Sequence, residues 1–253
     1  MKRCLLLIAS VSMISGCATI TPINTSLVSY SASQFSFSDL HNSSIAVLPV
    51  ITSMTKYEGF KRPAGDAIAR SIQNRYSDIT VHPPIVTLAN INDANLSADY
   101  SNMMLSYVQT GILNRDTIKQ IATASNSRFL LYSKLGAEET RETDYDPTLG
   151  VTTTRVLEFE IYSQLWDATV GDIVWEGRGG AAYLSSKTTL NGLLTLAAQN
   201  LAAQIGRTPH EVPAPQSVTE MHNQARTNIY GAALGVSAVL LILVYAISPP
   251  PFI

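Results

Sequence analysis

Few side chains in this sequence have the type and spacing that chemistry requires. The four histidines, His41, His82, His210 and His222, fall in stretches that read as tether, turn and linker. None has the H-E-x-x-H spacing that sets two imidazoles on one helical face around a metal. No nucleophile elbow, phosphate-cradling glycine loop or dinucleotide fingerprint occurs. Glu158 and Glu160 share one face of a strand pattern, where paired carboxylates could exchange protons, although a solvated sheet face is the commoner meaning of such a pair. Trp166 and Trp175 flank a turn and could stack on a sugar ring; packing beneath the turn is the plainer alternative. These residues support no catalytic set, no metal site and no cofactor, and the expectation is a protein that is not an enzyme.

Cys17 is the one residue with a defined chemical prospect. Lys2 and Arg3 precede the apolar run Leu5 to Ile14, which ends in Ser15, Gly16 and Cys17. That order is the n-region, h-region and cleavage site of a signal peptide, and the run is too short for a permanent membrane helix. Ile14-Ser15-Gly16-Cys17 resembles the bacterial lipobox, which implies cleavage after residue 16, acylation of Cys17, and anchoring by more than one chain. An ordinary secretory signal with an incidental cysteine is the alternative. Cys4 leaves with the signal, so the mature chain holds no pair of thiols for a disulfide. In lipoproteins that this N-terminus resembles, an aspartate after the cysteine favours the inner membrane; Ala18 stands there and argues for the outer one. The formal net charge is −2, and loss of Lys2 and Arg3 makes it about −4, so nothing steers the chain to nucleic acid.

The elements that position these residues begin after a Ser/Thr/Asn/Gln-rich stretch, residues 17–43, expected to be a flexible tether. A domain is expected over 44–207. Ile45 to Val50 is a continuous apolar run, the pattern of a strand buried on both faces. Pro63 suits a first helical turn, and Ala67, Ile68, Ile72 and Tyr76 make one apolar stripe. A short strand over 79–81, a mixed helical segment from Met103 to Val108, and a helix over 116–125 capped by Asn114 or Asp116 follow. Arg128 to Leu135 reads as a strand, and the acidic stretch 138–150 as a solvated hairpin tip. From Val156 to Trp166 apolar and polar residues alternate, Gly171 marks a turn, and Ile173 to Gly177 returns as the next strand. Leu190 to Ile205 is an amphipathic helix.

The strand at Ile45–Val50, the helix–strand pair ending at Leu135 and the hairpin Glu158-Phe159-Glu160 through Asp167-Ala168-Thr169-Val170-Gly171-Asp172 to Trp175-Glu176-Gly177, in this order, resemble CsgG-like envelope lipoproteins. The amino-terminal domain of TolB and the penicillin-binding-protein activator LpoB look similar. Val170 and Asp172 depart from the turn D-x-x-T-G-E-x-x-W of that family. The resemblance implies an α+β fold, a single mixed sheet flanked by helices, with no catalytic role. Its relatives form outer-membrane rings or dock onto periplasmic proteins. The stretch 138–155 lacks the alternation of a lipid-facing strand, which argues against a barrel pore.

Beyond a Pro-containing linker, residues 208–228, the nearly all-apolar segment 229–247 is long enough to span a bilayer, leaving a short tail, 248–253. Gly231 and Gly235 have the spacing that lets two helices approach closely; simple tolerance of glycine in lipid is the plain alternative. No basic residue follows the segment, so charge does not orient it. The expected partners are the membrane, through acyl chains and this helix, other envelope proteins, and further copies of the chain; the folded domain is expected in the periplasm. Two roles follow: a structural or interaction component of an envelope-spanning assembly of the secretion, pilus or flagellar type, or a tethered regulator of a peptidoglycan synthase or another envelope enzyme.

Overall fold

Ile45, Ala46 and Val47, with Leu48 just after them, are all fully buried, because their strand has an apolar layer on each face. This is seen in the computed structural model, which describes residues 23–146, 150–183 and 189–209. The strand is β2 (Ser44–Val47), and with β1 (Ile23–Ser31), β3 (Thr80–His82), β4 (Phe129–Asp146), β5 (Gly150–Asp167) and β6 (Asp172–Tyr183) it forms a six-stranded sheet in the order β1-β6-β5-β4-β2-β3. β2 runs parallel to both β3 and β4, whereas β4, β5, β6 and β1 pair antiparallel. A mixed sheet results.

Two layers of helix cover it. On one face lie α1 (Lys61–Arg75) and α5 (Leu190–Ala202), which bury Ile68, Ile72, Leu193, Leu194, Ala197 and Leu201 against Phe129, Phe159, Ile161, Leu165 and Trp175 of the sheet. The stripe expected on α1 is the buried one, with Tyr76 partly buried at its end. On the opposite face sit α2 (Pro84–Asp93), α3 (Ser97–Thr110) and α4 (Arg115–Ala124), closing a smaller core around Leu48, Met103, Ile118, Ile121, Tyr132 and Trp166. Asn114 caps α4, its side chain accepting from the Thr117 amide at 3.1 Å.

Gly179 explains how closely α5 can lie on β6. A Cβ there would sit 2.1 Å from the Leu201 amide nitrogen, so any side chain would push the helix off the strand. Gly171, at φ +67 in the β5–β6 turn, supplies the left-handed backbone expected of it.

Two expectations need correcting. Residues 23–31, taken as tether, form the edge strand β1, which pairs with β6 from Ile23↔Ala182 to Ser31↔Trp175, and residues 37–40 form a 3-10 turn. The domain therefore starts well before residue 44. Residues 138–146 are not a turn-rich tip: the β4–β5 ladder is continuous through Asp146↔Gly150. The helix expected over Met103 to Val108 is present within the longer α3, and α2 before it has no counterpart in the sequence reading. No helix among the described residues is long and apolar enough to cross a membrane. The expected membrane segment 229–247, with Gly231 and Gly235, lies outside the described residues, as does Cys17.

Candidate interaction surface

The two helical layers do not cover the sheet equally. Alternate residues of β5 face opposite ways, so Phe159, Ile161 and Leu165 enter the larger core while Tyr162, Gln164 and Trp166 face α3. Toward β6 and the far end of β5 this second face is left open. An open cleft of about 540 Å3 results, lined by Ile51, by Tyr107, Val108 and Gly111 at the end of α3, by Tyr132, Lys134 and Gly136 of β4, and by Glu160, Tyr162 and Gln164 of β5.

Gln164, only 5% exposed, organises its floor. Its Oε1 accepts from the Tyr107 hydroxyl at 2.5 Å and from Trp166 Nε1 at 3.2 Å. Its Nε2 donates to Tyr162 Oη at 2.8 Å and to Glu176 Oε1 at 2.6 Å. Both ends of the amide are used, so the network fixes ring positions and leaves Gln164 no reactive capacity. Tyr132 stacks on Trp166 at 5.3 Å between centroids, and Tyr107 meets both rings edge-on at 5.5 and 5.2 Å. Burial, joined by Tyr107, pushes the Tyr132 phenol up to about 12. Burial also raises Tyr107, Tyr162 and Tyr100, so these phenols stay neutral donors at any physiological pH.

Beside the cleft, α3 and its exit expose large apolar side chains. Met103, Met104 and Tyr107 turn toward the sheet, yet Leu105, Val108 and Ile112 on the outer side are 60, 61 and 69% exposed. Leu105 and Val108, three apart, share one side of the helix, and Ile112 follows just beyond the left-handed cap Gly111. Ile85 and Val86 at the start of α2 are exposed as well. Large apolar side chains exposed together beside an open cleft are the pattern of a surface that packs on something further.

The residues named as chemical candidates are not brought together. Trp166 and Trp175 are both fully buried, one in each core, so neither can stack on a sugar. Glu158 and Glu160 do share the open face, but Glu160 is held by Arg178 at 3.0 Å. Burial, then Glu160 and Glu138, raise the Glu158 carboxyl, against the Thr25 hydroxyl and Arg178. His41 pairs through Nδ1 with Asp78 on the surface, His82 ends β3, and His210 and His222 lie outside the described residues. No group of three or more metal-ligating side chains forms among the described residues. The cleft itself escaped the sequence reading because its residues come from four separated segments. The one available signal was a large aromatic, Tyr162, beside Glu158, Glu160 and Gln164 on the mostly polar face of β5.

The chain matches no protein-family model and no curated protein. Among solved structures it is similar to the PelC dodecamer from Paraburkholderia phytofirmans, at 16% identity over 73% of this chain and 98% of that one, with a TM-score of 0.41. Lipoprotein GNA1162 from Neisseria meningitidis is similar at 17% identity over 66% and 99%, with a TM-score of 0.35. The LpoB C-terminal domain from Escherichia coli is similar at 16% over 56% and 83%, with a TM-score of 0.31. At these values the likenesses neither place the chain in a family nor transfer a role to it.

Proposed function

We propose that this chain is a non-catalytic envelope lipoprotein whose domain works by docking onto another envelope protein through the open face beside α3. The exposed stripe Leu105, Val108 and Ile112 next to an aromatic cleft carries this reading. The cleft holds no general base aligned on a nucleophile, and its amide hub is saturated, so recognition is what its geometry suits. In finer form the protein regulates a peptidoglycan synthase or another envelope enzyme, in keeping with the order of elements that resembles LpoB. It is anchored by acyl chains on Cys17, with the domain in the periplasm, and residues 229–247 add a membrane helix.

A component of an envelope assembly is the second form, and one observation favours it. Strand β1 begins at Ile23, so residues 17–22 reach at most about 20 Å and hold the domain close to the anchoring bilayer. A regulator that reached across the periplasm would need a longer leash.

The test is the native mass of the acylated chain extracted in detergent from its own membranes, for wild type and for Val108→Asp. A wild-type mass well above one chain that falls to the single chain in the variant supports docking through α3. Equal masses refute it. Loss of the complex on deleting 229–247 with α3 intact favours the assembly form, and a complex that survives that deletion favours the regulator.

A further inference from the structure

Charge is unevenly matched on the open face. By strand register Glu138, Glu158, Glu160 and Glu176 share that face with Lys134 and Arg178, so four carboxylates meet two cations among the described residues. Arg178 engages one oxygen of Glu160, Oε1 at 3.0 Å, and Gln164 engages Glu176 at 2.6 Å, while Glu138 makes no ion pair among the described residues. Burial, then the nearby Glu160 and Glu138, hold the Glu158 carboxyl raised in spite of Arg178. Two independent features of the cleft also suit a cation. Its wall includes Tyr107, Val108 and Gly111 at the carbonyl end of α3, where the last carbonyls have no helical partner and the last turn carries no basic residue. Tyr132 lines the cleft at only 5% exposure, and its hydroxyl, which has no hydrogen-bond partner among the described residues, can accept a bond. Lys134 offsets part of this charge, which makes its removal diagnostic.

Resting on the docking reading above, we infer that the cleft and the exposed apolar residues of α3 and its exit together receive a basic amphipathic segment of a partner protein. Its apolar residues lie on Leu105, Val108 and Ile112, and an Arg or Lys side chain enters the cleft, where Glu160, the Tyr132 hydroxyl and the last carbonyls of α3 offer acceptors. Further cations of the segment face Glu138 and Glu158. Apolar contact supplies affinity, and the charge decides which segment is accepted. A second copy of this chain is the competing occupant.

The experiment uses the full chain in phosphatidylcholine nanodiscs, with empty nanodiscs as the blank for peptide held by lipid, and three fluorescent 15-residue helical peptides. One carries Leu at i, i+3, i+4 and i+7 flanked by Arg, the second has every Arg replaced by Glu, and the third is the Arg peptide scrambled. Fluorescence anisotropy is expected to give at least about tenfold tighter binding of the Arg peptide than of the other two. Glu138→Lys, at an exposed position, should weaken the Arg peptide several-fold, and Glu138→Gln combined with Glu158→Gln and Glu160→Gln should erase its advantage over the Glu peptide. Lys134→Gln should tighten the Arg peptide several-fold, a gain that damage to the fold would not produce. Leu105→Ser combined with Val108→Ser should weaken it at least about tenfold. A preference that survives the triple Gln variant, weaker binding of the Arg peptide to Lys134→Gln, or equal binding of the scrambled peptide overturns the inference. So does concentration-dependent self-association of the purified chain that is lost in Val108→Asp, which would make the occupant a second copy. If the peptides fail while Val108→Asp still dissociates the native complex, docking through α3 stands and the basic partner falls.

Discussion

The two faces of the sheet are built from the same strands and do different work. The face under α1 and α5 is closed by alkyl and aromatic groups, with Phe129, Phe159, Ile161, Leu165 and Trp175 all fully buried. The face under α2, α3 and α4 is closed at one end by Leu48, Met103, Ile118 and Ile121 together with Tyr107, Tyr132 and Trp166 around the Gln164 amide, and beyond them it opens as a cleft. The first face gains its stability from area removed from water. The second is held in shape by one saturated amide and leaves apolar and charged side chains exposed at its edge. On the docking reading, structure and recognition are separated by a single strand's alternation, and substitutions can tell them apart.

Trp175→Ala should have the largest effect, a loss of about 3–5 kcal/mol read from the urea midpoint, because it empties the centre of the closed core. Gln164→Leu should cost about 1–3 kcal/mol, since it strands Tyr107, Trp166 and Glu176 in a half-dry site. It should also loosen the cleft, seen as a fall of the Tyr132 phenol from about 12 toward ordinary tyrosine in an absorbance titration.

Two carboxylates sharpen the contrast through pH. At Asp167 burial raises the pKa, but bonds from Arg128 at 2.7 Å and from the Thr169 hydroxyl and amide at 2.6 and 2.8 Å outweigh it and leave the pKa lowered. Its contribution is therefore present above the unfolded value near 4 and is lost as pH falls through the folded one. Asp167→Asn should flatten that acid limb and cost roughly 1–2 kcal/mol at neutral pH. Glu158, on the open face, is raised, so its contribution is full below the unfolded value and is lost as pH rises through the folded one. Glu158→Gln should remove that loss and leave neutral-pH stability unchanged or slightly higher. Urea titrations from pH 3 to 7 read both, and limbs of the same sign at both sites would break the distinction. Val108→Asp should change stability by no more than about 0.5 kcal/mol while removing association, the smallest effect on the fold and the most direct on function.

Periodicity made the closed face legible. The alternation from Val156 to Trp166, the stripe on α1 and the glycine of the β5–β6 turn all predict what the structure holds, because each is a local signal of a locally amphipathic element. β1 was hidden because its sequence, INTSLVSYS, is rich in Ser, and its partner β6 lies about 150 residues away. The polar end of β4 read as a turn because its charges mask extended backbone, which its pairing with β5 imposes. The cleft was invisible for a related reason. Tyr107, Tyr132 and Tyr162 meet only through strand register and the placement of α3, so no spacing along the chain reveals them.

Amide hydrogen exchange, compared between the native detergent-extracted complex and the purified chain, tests most directly whether the open face is the working one. Slower exchange in the complex is predicted for residues 97–112 and for Lys134 to Gly136, with α1 and α5 unchanged. Protection confined to α1 and α5, or no difference along α3, would contradict the account.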